Sequence, residues 1–171
     1  MILYLALSIL IAAAAFPARS QRHLFFAGIA FYAVQAGFAV RLLADGLYGM
    51  TSAGIFTFDA AGTLFYLLLT LVSAFAYFHS EAYLKENDIR QTRTYSGLLL
   101  LLTTVIAGVY FSNNLAVTWI LLEATSLCTA GIVYYRRTEQ TLEAAWKYLF
   151  VCSTGIAVAY LGILLLCAAT G

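Results

Sequence analysis

The feature that most constrains this chain is a series of six long apolar runs, at residues 1–16, 24–44, 60–80, 95–111, 115–135 and 144–169. A helix rises about 1.5 Å per residue, so about 20 residues cross the roughly 30 Å hydrocarbon layer of a bilayer. Inside that layer every backbone donor and acceptor must be satisfied by the protein, which leaves helices or a closed barrel. A transmembrane barrel alternates apolar and polar residues in segments of about ten, and these runs do not alternate. The expectation is an all-α polytopic membrane bundle of about six spans, a single transmembrane domain over residues 1–171 with short connections. Composition agrees: 63% of the 171 residues are hydrophobic and 10% are charged, against about 25% charged in a soluble domain. The first and fourth runs are short and borrow flanking residues.

The breaks between runs have physical causes. Pro17 lacks a backbone donor and ends the first helix. Residues 45–59, with Gly46, Gly49, Thr51, Ser52 and Gly54, read as a hairpin or re-entrant connection. Asp59 stands where it caps the third helix, and residues 112–114 form a tight turn. Small-residue pairs, Ala33 with Gly37 and Gly155 with Ala159, predict close helix packing.

Orientation follows from the basic residues. Of nine Lys and Arg, seven fall in the loops after spans one, three and five: Arg19, Arg22, Lys85, Arg90, Arg93, Arg136 and Arg137. The loops after spans two and four hold Arg41 alone. Basic loops stay on the cytoplasmic side, so both termini are expected on the other side, in a multi-pass protein of the cell's inner membrane. The first run is not a signal peptide, because such a peptide carries its positive charge before the apolar stretch.

Several function classes drop out. A net charge of +1 gives no basic footprint for nucleic acid. Cys128, Cys152 and Cys167 form no CxxC pair and read as small apolar helix residues. His23 and His79 fall at helix ends, where they do not suit a bis-histidine haem. No nucleophile–base set, cofactor motif or metal cluster is present, so no catalytic, cofactor-binding or metal residue is expected in this chain.

The residues that the bilayer makes expensive remain. A charge at its centre costs about 2.5–3.5 kcal/mol on insertion scales, and intramembrane ionisable groups are usually functional. Glu123 lies in mid-span, roughly 14 Å from Asn114 and 20 Å from Arg136 at about 1.5 Å per residue. It is either a helix-joining structural group or a proton carrier. Lys147 lies about one turn inside span six, where a lysine also snorkels to the headgroups. Glu143, four residues earlier, offers it a partner on the same helix. His79 and Asp59 are auxiliary polar candidates, Asp59 more as a cap than as a carrier. Gln35, Arg41, Thr103 and Thr104 either line a polar path or satisfy one another.

At this point the residues reach a family. The run Asn114-Leu115, then Trp119-Ile120-Leu121-Leu122-Glu123-Ala124-Thr125-Ser126-Leu127, resembles the N-L…F-x-x-x-E-x-x-S-L fifth helix of the antiporter-like subunits of respiratory complex I. Leu142-Glu143-Ala144-Ala145-Trp146-Lys147-Tyr148-Leu149 resembles the E-A-A-x-K-Y opening of their sixth helix. Cys152-Ser153-Thr154-Gly155-Ile156-Ala157, followed by Leu161-Gly162, is most similar to the branch found in membrane-bound hydrogenases of the hydrogenase-4 or formate-hydrogenlyase type. Phe58-Asp59 ahead of span three and an outside amino terminus also fit. The resemblance implies proton translocation driven by redox chemistry elsewhere, kinship with Mrp-type antiporters, and Glu123 and Lys147 as proton-path residues. It also implies no cofactor in this chain, redox groups on partner subunits, and membrane and peripheral subunits of such a complex as partners.

Family members have about fourteen helices, arranged as two inverted five-helix repeats plus extra helices. This chain stops after the sixth and lacks the second repeat, and inverted repeats need both halves to build a path. Its last residues carry no charge or polar tail. The expectation is a fragment or a split subunit, possible company being a chain that supplies the missing helices. Two further readings stand beside the pumping subunit: a non-pumping membrane scaffold or anchor, and a small cation/proton transporter.

Overall fold

The computed structural model describes residues 2–16, 20–46, 51–53, 55–84 and 88–170. Six helices follow in order: α1 (Ile2–Ala15), α2 (Gln21–Gly46), α3 (Ala60–Tyr83), α4 (Ile89–Phe111), α5 (Leu115–Val133) and α6 (Glu139–Thr170). Between α2 and α3 a small antiparallel ribbon pairs β1 (Thr51–Ala53) with β2 (Phe56–Phe58). Helices α2 to α6 each carry a stretch long and apolar enough to cross a membrane. Helix α1, with 14 residues, spans about 21 Å and is shorter. The expectations about Pro17, Arg19, Gly49, Gly54 and Lys85 lie outside the described residues.

The helix ends show where the apolar runs mislead about length. The chain forms α-helix well beyond the hydrocarbon-length stretch: α4 begins at Ile89 rather than 95, α6 at Glu139 rather than 144, and α3 continues to Tyr83 rather than 80. Hydrogen bonding continues through polar turns until a cap stops it, whereas hydropathy marks only the part that suits lipid. The caps are local. Asp59 Oδ1 accepts from Gly62 N at 3.0 Å, and Asn114 Oδ1 accepts from Ala116 N and Val117 N at 3.0 and 3.2 Å. Before α6, Thr138 and Thr141 exchange bonds: each backbone N–H donates to the other's hydroxyl, at 3.0 and 3.2 Å. Helix α5 ends in a 3-10 turn, Tyr134–Arg136, closed by Arg137 in the left-handed conformation, φ 54°.

Helix α4 is the hub. It packs against α1, α3 and α5, and is the most buried of the long helices; α6 packs chiefly on α5 and is the least buried. Two clusters fill the α1–α4 bundle at different levels. One holds Leu24, Phe31, Tyr32, Tyr77 and Leu100; the other holds Tyr4, Leu42, Phe56, Tyr66 and Phe111. The second is aromatic: Tyr4 stacks on Phe38 at 4.1 Å, and Tyr66 meets both Phe38 and Phe111 at 5.6 Å. Through Phe58 on Phe111, at 5.1 Å, the ribbon joins it. Asn113 N also donates to Ile55 O at 2.8 Å, so the ribbon seals one end of the bundle.

The expected packing of Gly37 and Gly155 is corrected. A Cβ built on either meets nothing within 4 Å, whereas one on Gly28 meets the ring of Tyr77 and one on Gly131 meets Leu98 at 2.7 Å. In lipid, helices associate by close packing rather than by hydrophobic drive. Small size matters only where another helix lies opposite, which spacing along one helix does not reveal.

Candidate functional site

Glu123 sits half-buried near the middle of α5. Its side chain turns toward α6, where Ser153 Oγ donates to Oε1 at 2.7 Å. The same interface is held one turn away on each helix. Trp119 Nε1 donates to the Ile156 carbonyl at 3.2 Å, and the Trp119 and Tyr160 rings lie 4.4 Å apart. Below Glu123, Ser126 Oγ donates back to its carbonyl at 2.8 Å, which leaves the carboxylate to α6. A hydroxyl both donates and accepts, so Ser153 serves Glu123 whether it is ionised or protonated. Ser153 belongs to the sequence run that resembles the hydrogenase branch, but its role as partner needed the fold. Nothing in the sequence pairs a residue of α6 with one of α5.

Lys147 is not brought to Glu123. Its ammonium bonds Glu143 Oε1 at 2.5 Å, one turn back on α6, and both side chains are exposed, 75% for Lys147 and 66% for Glu143. Ser153 lies about 9 Å further along α6 at about 1.5 Å per residue. With α6 beginning at Glu139, Lys147 is two turns inside the helix rather than one. The pair therefore sits on the outer side of the bundle, while Glu123 sits between two helices.

The auxiliary residues separate as well. Asp59 caps α3 through Gly62. His79 is exposed and lines a cleft of about 240 Å³ with Ser80, Tyr83, Leu84, Tyr95 and Tyr135. Of the four residues that were to line a path or satisfy one another, Thr103 and Thr104 donate to the Leu99 and Leu100 carbonyls of their own helix, at 2.9 and 3.0 Å. Gln35 does more. Fully buried, its Oε1 accepts from both Tyr4 and Tyr66 at 2.5 Å, tying α1, α2 and α3 together.

One buried carboxylate escaped the sequence reading. Glu81 is 8% exposed and accepts from Ser96 Oγ at 2.8 Å. The apolar run that predicts span three stops at residue 80, one short of it. The available signal was periodicity: Tyr66, Thr70, Ser73, Tyr77 and Glu81 recur at helical spacing. Among the described residues no group of His, Cys, Asp or Glu could hold a metal ion.

These features define an α-helical, multi-pass membrane protein with a carboxylate held between two of its helices. Its similarities to known proteins agree with the multi-pass membrane character. Over 148 residues, 82% of this chain, it is 28% identical to the NAD(P)H-quinone oxidoreductase subunit 2 of a Picosynechococcus species. Over 54 residues, 32% of this chain, it is 41% identical to the hydrogenase-4 component F homolog of Methylacidiphilum infernorum. The matched stretches take in 28% and 11% of those proteins' lengths respectively, so the chain spans little more than a quarter of one curated relative it matches and about a ninth of the other. No family model matches it, and no solved structure does so significantly.

Proposed function

We propose that this chain works as a proton-translocating, antiporter-like membrane subunit of an NADH:quinone oxidoreductase or hydrogenase complex, with Glu123 as the proton carrier. The observation that carries the reading is the placement of Glu123: mid-helix, half-buried, and bonded at 2.7 Å to a hydroxyl of the neighbouring helix. The two relatives' names, one a quinone oxidoreductase subunit and one a hydrogenase component, support the kind of complex. In this reading Ser153 holds the carboxylate in place through both protonation states. Lys147 is a second group of the path, parked on Glu143 and free to exchange that partner for another when a neighbouring subunit covers α6. Redox cofactors belong to partner subunits, and the basic loops face the cytoplasm of an inner membrane.

Glu123→Gln in the assembled complex tests it. The expected result is a complex present at normal level that transfers electrons but moves fewer protons per electron. Normal proton movement refutes the reading. A second reading has its own support, because the Glu123–Ser153 and Trp119–Ile156 bonds also join α5 to α6. If Glu123 is only a joint in a membrane scaffold, the substitution lowers the amount of assembled complex and leaves the protons moved per electron unchanged.

A further inference from the structure

One face of α3 carries Tyr66, Thr70, Ser73, Tyr77 and Glu81, at spacings that keep them on one side of a helix. The face turns inward: all but Thr70 are buried. From Tyr66 to Glu81 the stripe covers about 22 Å at about 1.5 Å per residue, most of the roughly 30 Å hydrocarbon thickness. It lies within the α1–α4 bundle, away from the α5–α6 interface that holds Glu123.

Glu81 ends this stripe. The groups that face it are Ser96 from α4 and, on its own helix, Tyr77. From α2, the Leu24 carbonyl accepts the Tyr77 hydroxyl at 2.8 Å, which leaves the phenolic oxygen to accept. Tyr32, also from α2, is the titratable neighbour of Tyr77 further in. Among the described residues these partners are all neutral. Ser96 donates to an ionised Glu81 at 2.8 Å, and the same hydroxyl can accept from a protonated one.

The same core holds three buried polar atoms that lack a hydrogen-bond partner: Ser8 Oγ, Gln35 Nε2 and Tyr32 Oη. Ser8 and Gln35 are fully buried and Tyr32 is 8% exposed. Tyr32 faces Ser73 and Thr103 without meeting hydrogen-bond geometry with either. Buried polar atoms in native proteins are satisfied by protein or by ordered water, and two of these, on Gln35 and Tyr32 of α2, lie against the polar side of α3.

We propose that Glu81, bonded to Ser96 near the end of α3, is a reversible proton-binding site independent of Glu123. On loading, a hydronium of the solvent gives its proton to a carboxylate oxygen of Glu81, forming the O–H bond and leaving water; release reverses the step. The inference goes beyond the pumping reading and does not need it.

Infrared difference spectroscopy across the neutral pH range, on the full chain in phosphatidylethanolamine–phosphatidylglycerol nanodiscs, tests it. The expected signal is a carboxylic-acid C=O band that appears on acidification, moves on ¹³C-glutamate labelling, vanishes in Glu81→Gln and persists in Glu123→Gln. Ser96→Ala keeps the carboxyl but removes its hydroxyl partner, and should shift the band to higher wavenumber. Absence of any band that depends on Glu81, or a band lost in Glu123→Gln and kept in Glu81→Gln, overturns the proposal. Should Glu81→Gln fail to fold, the Ser96→Ala spectrum decides: a shifted band supports the site and an unshifted one overturns it. Failure of the pumping reading leaves this band unaffected, so the two outcomes are separable.

Discussion

At the scale of single residues, polar side chains hold this bundle where apolar ones cannot. Lipid tails are as apolar as leucine, so burying a leucine between two helices gains little over leaving it in lipid. A hydrogen bond between helices does discriminate, at about 0.6 kcal/mol on average and up to about 1.7. Gln35 accepts two such bonds, from Tyr4 and Tyr66. Gln35→Leu should therefore strip the buried Tyr4 hydroxyl of its acceptor, leave Tyr66 only the residue-35 backbone carbonyl at 3.1 Å, and cost about 1–3 kcal/mol, read as a lowered midpoint in denaturant unfolding of the full chain in detergent. A midpoint equal to wild type would show that the tyrosines find other partners. Glu123 shows the complementary point. Its residue type and mid-span position single it out, but only the fold supplies Ser153 as its partner.

At the scale of elements, helix contacts depend on what lies opposite. Gly28 on α2 lets the Tyr77 ring of α3 lie against the backbone, where its hydroxyl reaches the Leu24 carbonyl at 2.8 Å. Gly28→Val should push that ring away and cost about 1–3 kcal/mol as an overpacked site. Gly37→Val, on the same helix with open space at its Cβ, should stay within about 0.5 kcal/mol of wild type. Thermal unfolding of the two variants side by side checks this, and equal losses would contradict the α2–α3 packing described above. The helix ends teach a related lesson. Asp59 and Asn114 were legible as a cap and a turn because capping needs only neighbouring residues. The starts of α4 and α6 were not, because polar helical turns look like loop to a hydropathy reading.

At the scale of the whole molecule, the six helices divide into a four-helix bundle, α1–α4, with α5 and α6 laid against it through α4. The polar core of the bundle and the α5–α6 site are separate, so the described residues hold a buried carboxylate, Glu81, and a half-buried one, Glu123, in different surroundings. Helix α6 offers Trp146, Phe150, Val151 and Leu165 outward, beside the exposed Glu143–Lys147 pair. The basic loops set the expected orientation. A cysteine placed at Arg137, in a chain whose own cysteines are replaced, should react with an impermeant maleimide from the cytoplasmic side. One placed at Asn113, at the other end of α5, should react from the opposite side. The reverse pattern would invert the assignment.

The sequence by itself determined that the chain is a helical membrane bundle, because the bilayer forbids unsatisfied backbone and charges most ionisable residues heavily. It also singled out Glu123, since a carboxylate in mid-span is rare enough to need a reason. What only the tertiary structure decided is which polar groups meet. Ser153 meets Glu123, Lys147 stays with Glu143, Gln35 gathers two tyrosines, and Glu81 closes a buried stripe with Ser96. Hydropathy reports the environment of each residue one at a time. Pairing depends on the rotation of one helix against another, and that is fixed by close contacts such as Gly28 beneath Tyr77, which join residues far apart in the chain.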